Sequence, residues 1–208
     1  MYLHKTPGFL QKLYPSLTWR QPGSGKIIYL TFDDGPIPEV TEFVLETLNQ
    51  YEAKATFFCV GHNVEKHPEI FMQLIEEGNK AGNHTFNHLN GWETDQKTYF
   101  RNILKCDEAI EKNTKAKVDL FRPPYGRIPR KLIDRLTNRY NVIMWDNLTA
   151  DFDKGLSKEK CLEEAVKNTS NGSIIVFHDS LKAFRNLKYV LPRYLDHFRA
   201  SGYAFKAL

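Results

Sequence analysis

Two adjacent aspartates, Asp33 and Asp34, follow residues 26–30, a segment of apolar and β-branched side chains. Such a segment predicts a buried strand, and Gly35 and Pro36 end it. Two neighbouring carboxylates at the end of a buried strand repel each other. A metal ion, an arginine or both must therefore hold them in the ionised form. Asp34 and Gly35 are also common turn residues, so these positions alone leave a plain turn open as an alternative.

A pair of histidines four residues apart, His84 and His88, lies in a second polar stretch. At this spacing both imidazoles can face one side of a helical turn and bind one metal ion. Without further ligands, such a pair is more often structural than functional. Together with Asp34, however, it makes a set of two histidines and one carboxylate. A set of this kind leaves coordination positions open for water and substrate.

These side chains need a scaffold that brings distant residues together. Strand-like and helix-like segments alternate six or seven times, which predicts a parallel sheet covered by helices. Strands are predicted at residues 27–32, 55–60, 80–83, 118–121, 141–145, 173–177 and 203–206. Helices are predicted at residues 40–51, 95–112, 130–139, 157–168 and 184–199. Helical turns are predicted after the strand at 55–60, running through His67 and Pro68 to Glu77. Residues 1–25 are predicted to form an irregular N-terminal arm, and residues 26–208 one domain that carries these side chains.

The polar residues of interest follow the carboxyl ends of several different predicted strands. They are Asp33, Asp34, His84, Arg122, Asp151 and His178. In a barrel these strand ends converge on one mouth, whereas in an open doubly wound sheet they spread along an edge. A joint site therefore favours the barrel.

Composition limits the classes of function. The chain of 208 residues, 41% of them hydrophobic, fits one domain with a sizeable core. Its formal net charge of +4 comes from interleaved basic and acidic residues and gives no nucleic-acid or membrane signal. Residues 1–20 contain no unbroken apolar run, which predicts a cytoplasmic protein without a signal peptide or membrane span. Buried thiols, rather than disulfides, are predicted for Cys59, Cys106 and Cys161.

Four segments, in this order, resemble the motifs of the polysaccharide deacetylases, the NodB-homology group or carbohydrate esterase family four. They are residues 31–36 (TFDDGP), 84–88 (HTFNH), 122–126 (RPPYG) and 172–179 (GSIIVFHD). Each motif alone is weak or moderate, but four in the family's order are specific and span most of the chain. The resemblance implies a single-domain α/β fold, a distorted (β/α) barrel with about seven parallel strands.

The resemblance also implies a metal site and a general base. Asp34, His84 and His88 would bind one divalent metal ion, most often zinc, with cobalt or iron as alternatives. Asp33 would be the base that deprotonates the attacking water, and Arg122 would hold Asp33 in place. This agrees with the need of amide hydrolysis for a nucleophile at neutral pH.

Two further groups would complete the reaction. The backbone N–H of Tyr125 would stabilise the oxyanion, and His178 would protonate the departing amine. We therefore expect a hydrolase that removes N-acetyl groups from an N-acetylglucosamine-type polysaccharide or oligosaccharide. The alternatives are an esterase that removes O-acetyl groups from xylan-type sugars with the same site, and a carbohydrate-binding relative without activity. A relative without activity would lack the base, a metal ligand or the acid, whereas this sequence contains a candidate for each.

One further motif of the family, sought here in residues 145–153 (WDNLTADFD), matches least well. In the family, an aspartate of this motif orients the acid histidine and is usually followed by tryptophan. The best match is Asp151, with Phe152 in the tryptophan position, while Asp146 and Asp153 remain alternative partners for the histidine. Phe152 and Val176 would line an apolar pocket for the acetyl methyl group, although both also fit an ordinary core.

Overall fold

The computed structural model describes residues 2–23 and 25–208, so Met1 and Ser24 of the predicted arm lie outside the described residues. The strands are β1 Ile27–Asp33, β2 Thr56–Cys59, β3 Lys80–Asn83, β4 Leu120–Phe121, β5 Asn141–Val142, β6 Asn147–Leu148, β7 Ile174–His178 and β8 Ala204–Lys206. The helices are α1 Gly8–Leu13, α2 Val40–Gln50, α3 Gly61–Lys66, α4 Pro68–Glu76, α5 Gln96–Thr114, α6 Ile133–Thr137, α7 Lys158–Lys167 and α8 Phe184–Ala200.

Seven of the strands form one continuous parallel path in the order β5-β4-β3-β2-β1-β7-β6, and β8 pairs in parallel with the first half of β1. The two ends of the path, β5 and β6, are joined by residues 143–146. Five Cα steps reach at most about 18 Å, so the sheet must curl until its two edges lie close together. The predicted single-domain α/β fold, a distorted barrel with about seven parallel strands, is confirmed.

The strand register brings the polar strand ends to one level. Asp33 at the end of β1 lies opposite His178 of β7 and Phe58 of β2. On the other side of β2, Asn83 at the end of β3 is paired with both Cys59 and Phe121. The next residues after β3 and β4 are His84 and Arg122. The mouth of the barrel therefore collects residues that lie far apart in the sequence.

Alternation along β1 separates the core from the site. Phe32 is fully buried and stacks on Phe57 of β2 and Phe177 of β7, with ring centroids 5.0 and 5.7 Å apart. These rings belong to the hydrophobic layer between the sheet and the helices. Successive side chains of a strand point to opposite faces, so Asp33 points to the other face, the interior of the barrel.

The N-terminal arm lies along the seam, by which we mean the gap between β5 and β6. Thr18 N donates to Val142 O (2.9 Å), and Met144 N donates to Thr18 O (2.7 Å). Nearer the start of the chain, Leu148 N donates to His4 O (2.8 Å). The sequence predicts an irregular arm. In the structure, the arm contains the short helix α1 and makes backbone hydrogen bonds to both edges of the sheet.

A buried aspartate fixes this arm by its side chain. Asp146, in the link between β5 and β6, accepts hydrogen bonds from Lys5 Nζ (2.7 Å) and Arg20 Nη1 (2.5 Å). Ser173 Oγ donates a third, at 2.6 Å. The arm is thereby bound through charges as well as through backbone pairing.

Most predicted elements are present, with shifted ends. α7 begins after Ser157, whose hydroxyl accepts a hydrogen bond from Lys160 N, as expected for a serine cap. The strand predicted at 141–145 stops at Val142 because the following residues cross to β6. Residues 130–139 form a short 3₁₀ turn and α6 rather than one helix. The helical turns predicted between residue 60 and Glu77 are the two helices α3 and α4, whereas the sequence analysis did not predict α1 and β6.

The structure also bears on the predictions about disulfides and membrane spans. The three cysteines are buried free thiols, as predicted. In the described part of the chain, no helix combines the length and the apolar composition that a membrane span requires. The cytoplasmic location itself stays a prediction.

Candidate metal and hydrolytic site

Three potential metal ligands meet at the mouth of the barrel. The ligating atoms of Asp34, His84 and His88 all lie within 4.8 Å of one another. Asp34 Oδ1 is 3.2 Å from His88 Nε2 and 4.0 Å from His84 Nε2. Two imidazoles and one carboxylate are the donor set of open catalytic zinc sites, so these residues fit a divalent metal ion.

The loop that carries the histidines differs from the helical turn that their spacing allows. Residues 84–88 form an irregular loop, with Thr85 and His88 at positive φ (62° and 55°). Side chains hold this loop in place of a helix: Asn83 Oδ1 accepts from Thr85 N (2.7 Å), and Thr85 Oγ1 accepts from Leu89 N (3.1 Å). The two imidazoles still converge, with ring centroids 5.0 Å apart.

Hydrogen bonds and burial set two of the three ligands, His84 and Asp34, in the forms that bind metal. His84 Nδ1 donates to Arg122 O (2.8 Å), which leaves Nε2 available as a ligand. Burial lowers the pKa of His84 to about 4, so its imidazole is neutral. Burial alone would raise the pKa of Asp34, but the hydrogen bond from His88 and the charge of His178 hold it well below its usual range. Asp34 is therefore an ionised ligand.

Asp33 is held by Arg122, whose own side chain is fixed by hydrogen bonds. Arg122 is fully buried, and its Nη1 is 2.7 Å from Asp33 Oδ1. The same nitrogen donates to Thr31 Oγ1 (2.7 Å), while Nη2 and Nε donate to Met144 O (3.0 Å) and Ile143 O (3.3 Å). A guanidinium fixed at every nitrogen fixes the carboxylate that it binds.

The second carboxylate oxygen of Asp33 faces the ligands. Asp33 Oδ2 lies 3.9 Å from His84 Nε2, and the residue is 4% exposed. A water molecule beside the ligands would therefore be within reach of this oxygen. The arrangement suits a base better than a second carboxylate ligand, because Arg122 already holds Oδ1.

His178 is bound twice by Asp151. Its Nδ1 is 2.7 Å from Asp151 Oδ1, and its backbone N–H donates to Asp151 Oδ2 (2.8 Å). Burial alone would lower the pKa of His178, but the charge of Asp151 and this hydrogen bond raise it to about 9. Of the three aspartates considered, Asp151 is thus the one beside the histidine. Asp146 lies in the seam, and Asp153 accepts a hydrogen bond from Tyr2 Oη (2.5 Å).

The remaining predicted site residues differ in exposure. Tyr125 is 61% exposed, has a φ of 60°, and places its hydroxyl 3.1 Å from His88 Nδ1. Phe152 meets the His178 ring edge to face, with centroids 4.9 Å apart. Val176 lies two residues before His178 on β7, and therefore on the same face, but only 1% of it is exposed. Its role in a methyl pocket stays a prediction.

One residue of the site was missed. The buried carboxyl of Asp179 accepts from Gly35 N (3.0 Å) and from Thr41 Oγ1 (2.6 Å), so it anchors the loop that follows Asp34. A Cβ on Gly35 would lie 1.8 Å from Asp179 Oδ2, which explains the glycine. Burial raises the pKa of Asp179 to about 8. Gly35 and Asp179 both belong to the motifs quoted above, but the sequence does not predict that they are in contact.

Comparisons with known proteins show which family this chain resembles over most of its length. The sequence model of the polysaccharide deacetylase family matches residues 20–141. A peptidoglycan-N-acetylglucosamine deacetylase of Bacillus cereus is 34% identical over 191 residues, which cover 91% of this chain and 89% of the relative. A chitooligosaccharide deacetylase of Azorhizobium caulinodans is 30% identical over 199 residues, with 87% and 92% covered.

A solved structure is also similar over nearly the whole chain. It is a peptidoglycan N-acetylglucosamine deacetylase in complex with 4-naphthalen-1-yl-N-oxidanyl-benzamide. The TM-score is 0.89 at 29% sequence identity, and the match covers 98% of this chain and 95% of the other. Some other relatives with peptidoglycan deacetylase names are longer, and this chain spans 56% of one and 32% of another.

Proposed function

This chain belongs to the polysaccharide deacetylase family, and we propose that it removes N-acetyl groups from an N-acetylglucosamine-type polysaccharide or oligosaccharide. The observation that carries the proposal is the cluster at the mouth of the barrel. It combines three metal ligands with a carboxylate held by a buried arginine and a histidine held by a buried carboxylate. Hydrolysis of an amide needs all three parts.

We assign the metal site to Asp34, His84 and His88. A divalent ion held by these residues would lower the pKa of a water molecule and polarise the acetyl carbonyl group. The two histidines and one carboxylate favour zinc, and cobalt or iron also suit such a set. The role of the chain is to keep His84 neutral and Asp34 ionised, as burial and hydrogen bonds do here.

We assign proton transfer to two residues on neighbouring strands. Asp33 accepts the proton of the attacking water through Oδ2, because Arg122 binds its other oxygen. His178 holds a proton on Nε2 for the sugar nitrogen, since its Nδ1 faces Asp151. The backbone N–H of Tyr125 donates to the acetyl oxygen as negative charge develops there.

The relatives support the choice of substrate class. Two of them carry names that specify N-acetylglucosamine in peptidoglycan and chito-oligosaccharides. Both substrates present an N-acetyl group on a glucosamine ring of a longer chain. We therefore propose an acetylated amino-sugar polymer or oligomer as the substrate of this protein.

A substrate panel with defined metals tests the proposal. Chito-oligosaccharides, peptidoglycan fragments, acetyl-xylan and single N-acetyl sugars are incubated with protein loaded with zinc, cobalt or iron, and with metal-free protein. Released acetate and free amine are measured, with Asp33→Asn as the matched inactive control. We expect equal amounts of acetate and amine from the glucosamine oligomers. Acetate from acetyl-xylan alone would indicate the esterase. No acetate from any substrate, with metal bound, would indicate a carbohydrate-binding relative.

A further inference from the structure

A large aromatic side chain stands in solvent close to the metal ligands. Trp92 is 68% exposed. It follows His88 by four residues, so their Cα atoms are at most about 14 Å apart. Leaving an indole in water forgoes the free energy of burying it, and exposed apolar surface next to a cleft commonly marks a binding site.

The indole is held in place although it is exposed. Its Nε1 donates to Ile128 O (3.1 Å), and the guanidinium of Arg127 lies 5.2 Å from the ring centroid. Arg127 is in turn 3.3 Å from Glu93 Oε1. A ring fixed in this way loses little conformational entropy when a ligand packs on it.

The two loops that carry these residues are packed tightly together. A Cβ on Gly91 would lie 2.4 Å from Arg127 O and 2.7 Å from Pro129 Cδ, so only glycine fits between them. The loops are the ones that carry His88 and Tyr125, whose side chains are in contact at 3.1 Å. The exposed indole therefore has a fixed position relative to the metal ligands.

An open groove of about 660 Å³ lies beside the indole, a volume typical of small-molecule sites. Its lining includes Trp92 and the polar residues Thr94, Gln96 and Lys97. Asp95 also lines it, but its carboxylate caps α5. An apolar ring next to several hydrogen-bonding side chains matches a sugar, which has an apolar ring face and a rim of hydroxyl groups.

We propose that Trp92 and this groove bind a second sugar unit of the substrate chain, beyond the unit whose acetyl group is hydrolysed. The inference rests on the proposed function, because it takes the same polymer as the ligand. It makes the protein an enzyme of oligomers rather than of single sugars. The rate advantage of a long substrate over a short one then depends on the indole.

Chain-length dependence tests this inference. The values of kcat/KM for single N-acetylglucosamine and for a chitopentasaccharide are measured for the unchanged protein, Trp92→Ala, Trp92→Phe and Phe9→Ala. Phe9 is the matched control, since it is 67% exposed but lies on α1. We expect Trp92→Ala to lower the ratio of kcat/KM for the pentasaccharide to kcat/KM for the single sugar about tenfold, the effect of one strong contact residue. Trp92→Phe should restore part of it, and Phe9→Ala should keep the ratio.

A binding measurement separates this inference from the proposed function. The dissociation constant of the pentasaccharide is measured by calorimetry in the Asp33→Asn background, with and without Trp92→Ala. About tenfold weaker binding in the double variant supports the sugar site even if no substrate is hydrolysed. If acetate is released but neither the ratio nor the dissociation constant responds to Trp92→Ala, the proposed function stands and the second sugar site is wrong.

Discussion

Asp33 and Asp146 are both buried and both bind an arginine, but their surroundings differ. Asp33 pairs with Arg122, which is itself fully buried, and its second oxygen faces the metal ligands. Asp146 pairs with Arg20 and Lys5, whose side chains are 32% and 40% exposed. Its Oδ1 has no hydrogen-bond partner among the described residues. One carboxylate is poised for chemistry, and the other fixes the N-terminal arm.

The comparison shows that residue type and burial do not identify a catalytic carboxylate. Asp33 differs because its Oδ2 is not bound by Arg122 and can accept a proton from a reactant. It also lies at a strand end, beside the metal ligands and opposite His178. Asp146 directs Oδ2 to three donors in the seam, away from that mouth. Variants at these two regions should therefore separate activity from stability.

The largest effect is expected for His178→Ala. An amine leaves poorly unless it is protonated, so N-deacetylation should fall by a factor of about 10²–10⁴. A sugar alkoxide needs less help, so any O-deacetylation should fall less. Rates on matched amide and ester substrates, with metal content as the control, check this. Equal losses on both substrates would contradict the assignment of His178 as the acid.

Substitutions of the two adjacent aspartates should have different effects on turnover and on metal binding. Asp33→Asn keeps the ligands and removes the base, so turnover should fall about 10²-fold or more while metal stays bound. Asp34→Asn removes an anionic ligand, so metal affinity should fall and excess metal should restore some activity. Atomic emission and rates against added zinc or cobalt check both. Loss of metal in Asp33→Asn, with metal retained in Asp34→Asn, would reverse the two roles.

The pH dependence should follow the pair of His178 and Asp151. His178 donates only when protonated, and its pKa of about 9 keeps it so across neutral pH. The value of kcat/KM should therefore fall as the pH rises through about 9. Asp151→Asn removes the main cause that raises this pKa, so the alkaline limb should move to lower pH and the maximal rate should drop. Asp153→Asn is the control, and a shift in that variant alone would give Asp153 the role.

The smallest effect on activity is expected at Asp146. Asp146→Asn should leave kcat/KM of the folded protein as it is, because Asp146 is directed to the seam. It should lower the free energy of unfolding by about 1–3 kcal/mol, since buried hydrogen bonds to charged groups are lost and the cations are partly solvated. Urea unfolding measures this, with exposed Glu159→Gln as the control. If Asp146→Asn lost activity but kept its full stability, the assignment of a purely structural role to Asp146 would be wrong.

Much of the mouth of the barrel could be predicted because its residues stand in short motifs at strand ends. Each apolar run predicts where a strand stops, and parallel strands bring those stops together. The seam could not be predicted in this way. Asp146 meets Lys5 across 141 residues of sequence, and neither residue has a local pattern that indicates the other. From the sequence alone Asp146 is therefore an alternative partner of His178, and the strand order excludes it.

Other misses have local causes. The helical turn expected for His84 and His88 is replaced by a loop, because the side chains of Asn83 and Thr85 take the backbone N–H groups. β6 has only two residues, too few for a hydrophobic pattern. The contact of Asp179 with Gly35 joins two motifs that the sequence presents as separate.

The N-terminal arm has a consequence for anyone who shortens or fuses this protein. The family match begins at residue 20, but the seam is also bound by His4, Lys5 and Thr18. A fragment that starts at the family boundary would uncover the short edge strands β5 and β6. Bare edges of a sheet are templates for association with other chains. Such a fragment is expected to aggregate on expression, whereas a fusion partner joined ahead of residue 2 leaves the edges covered.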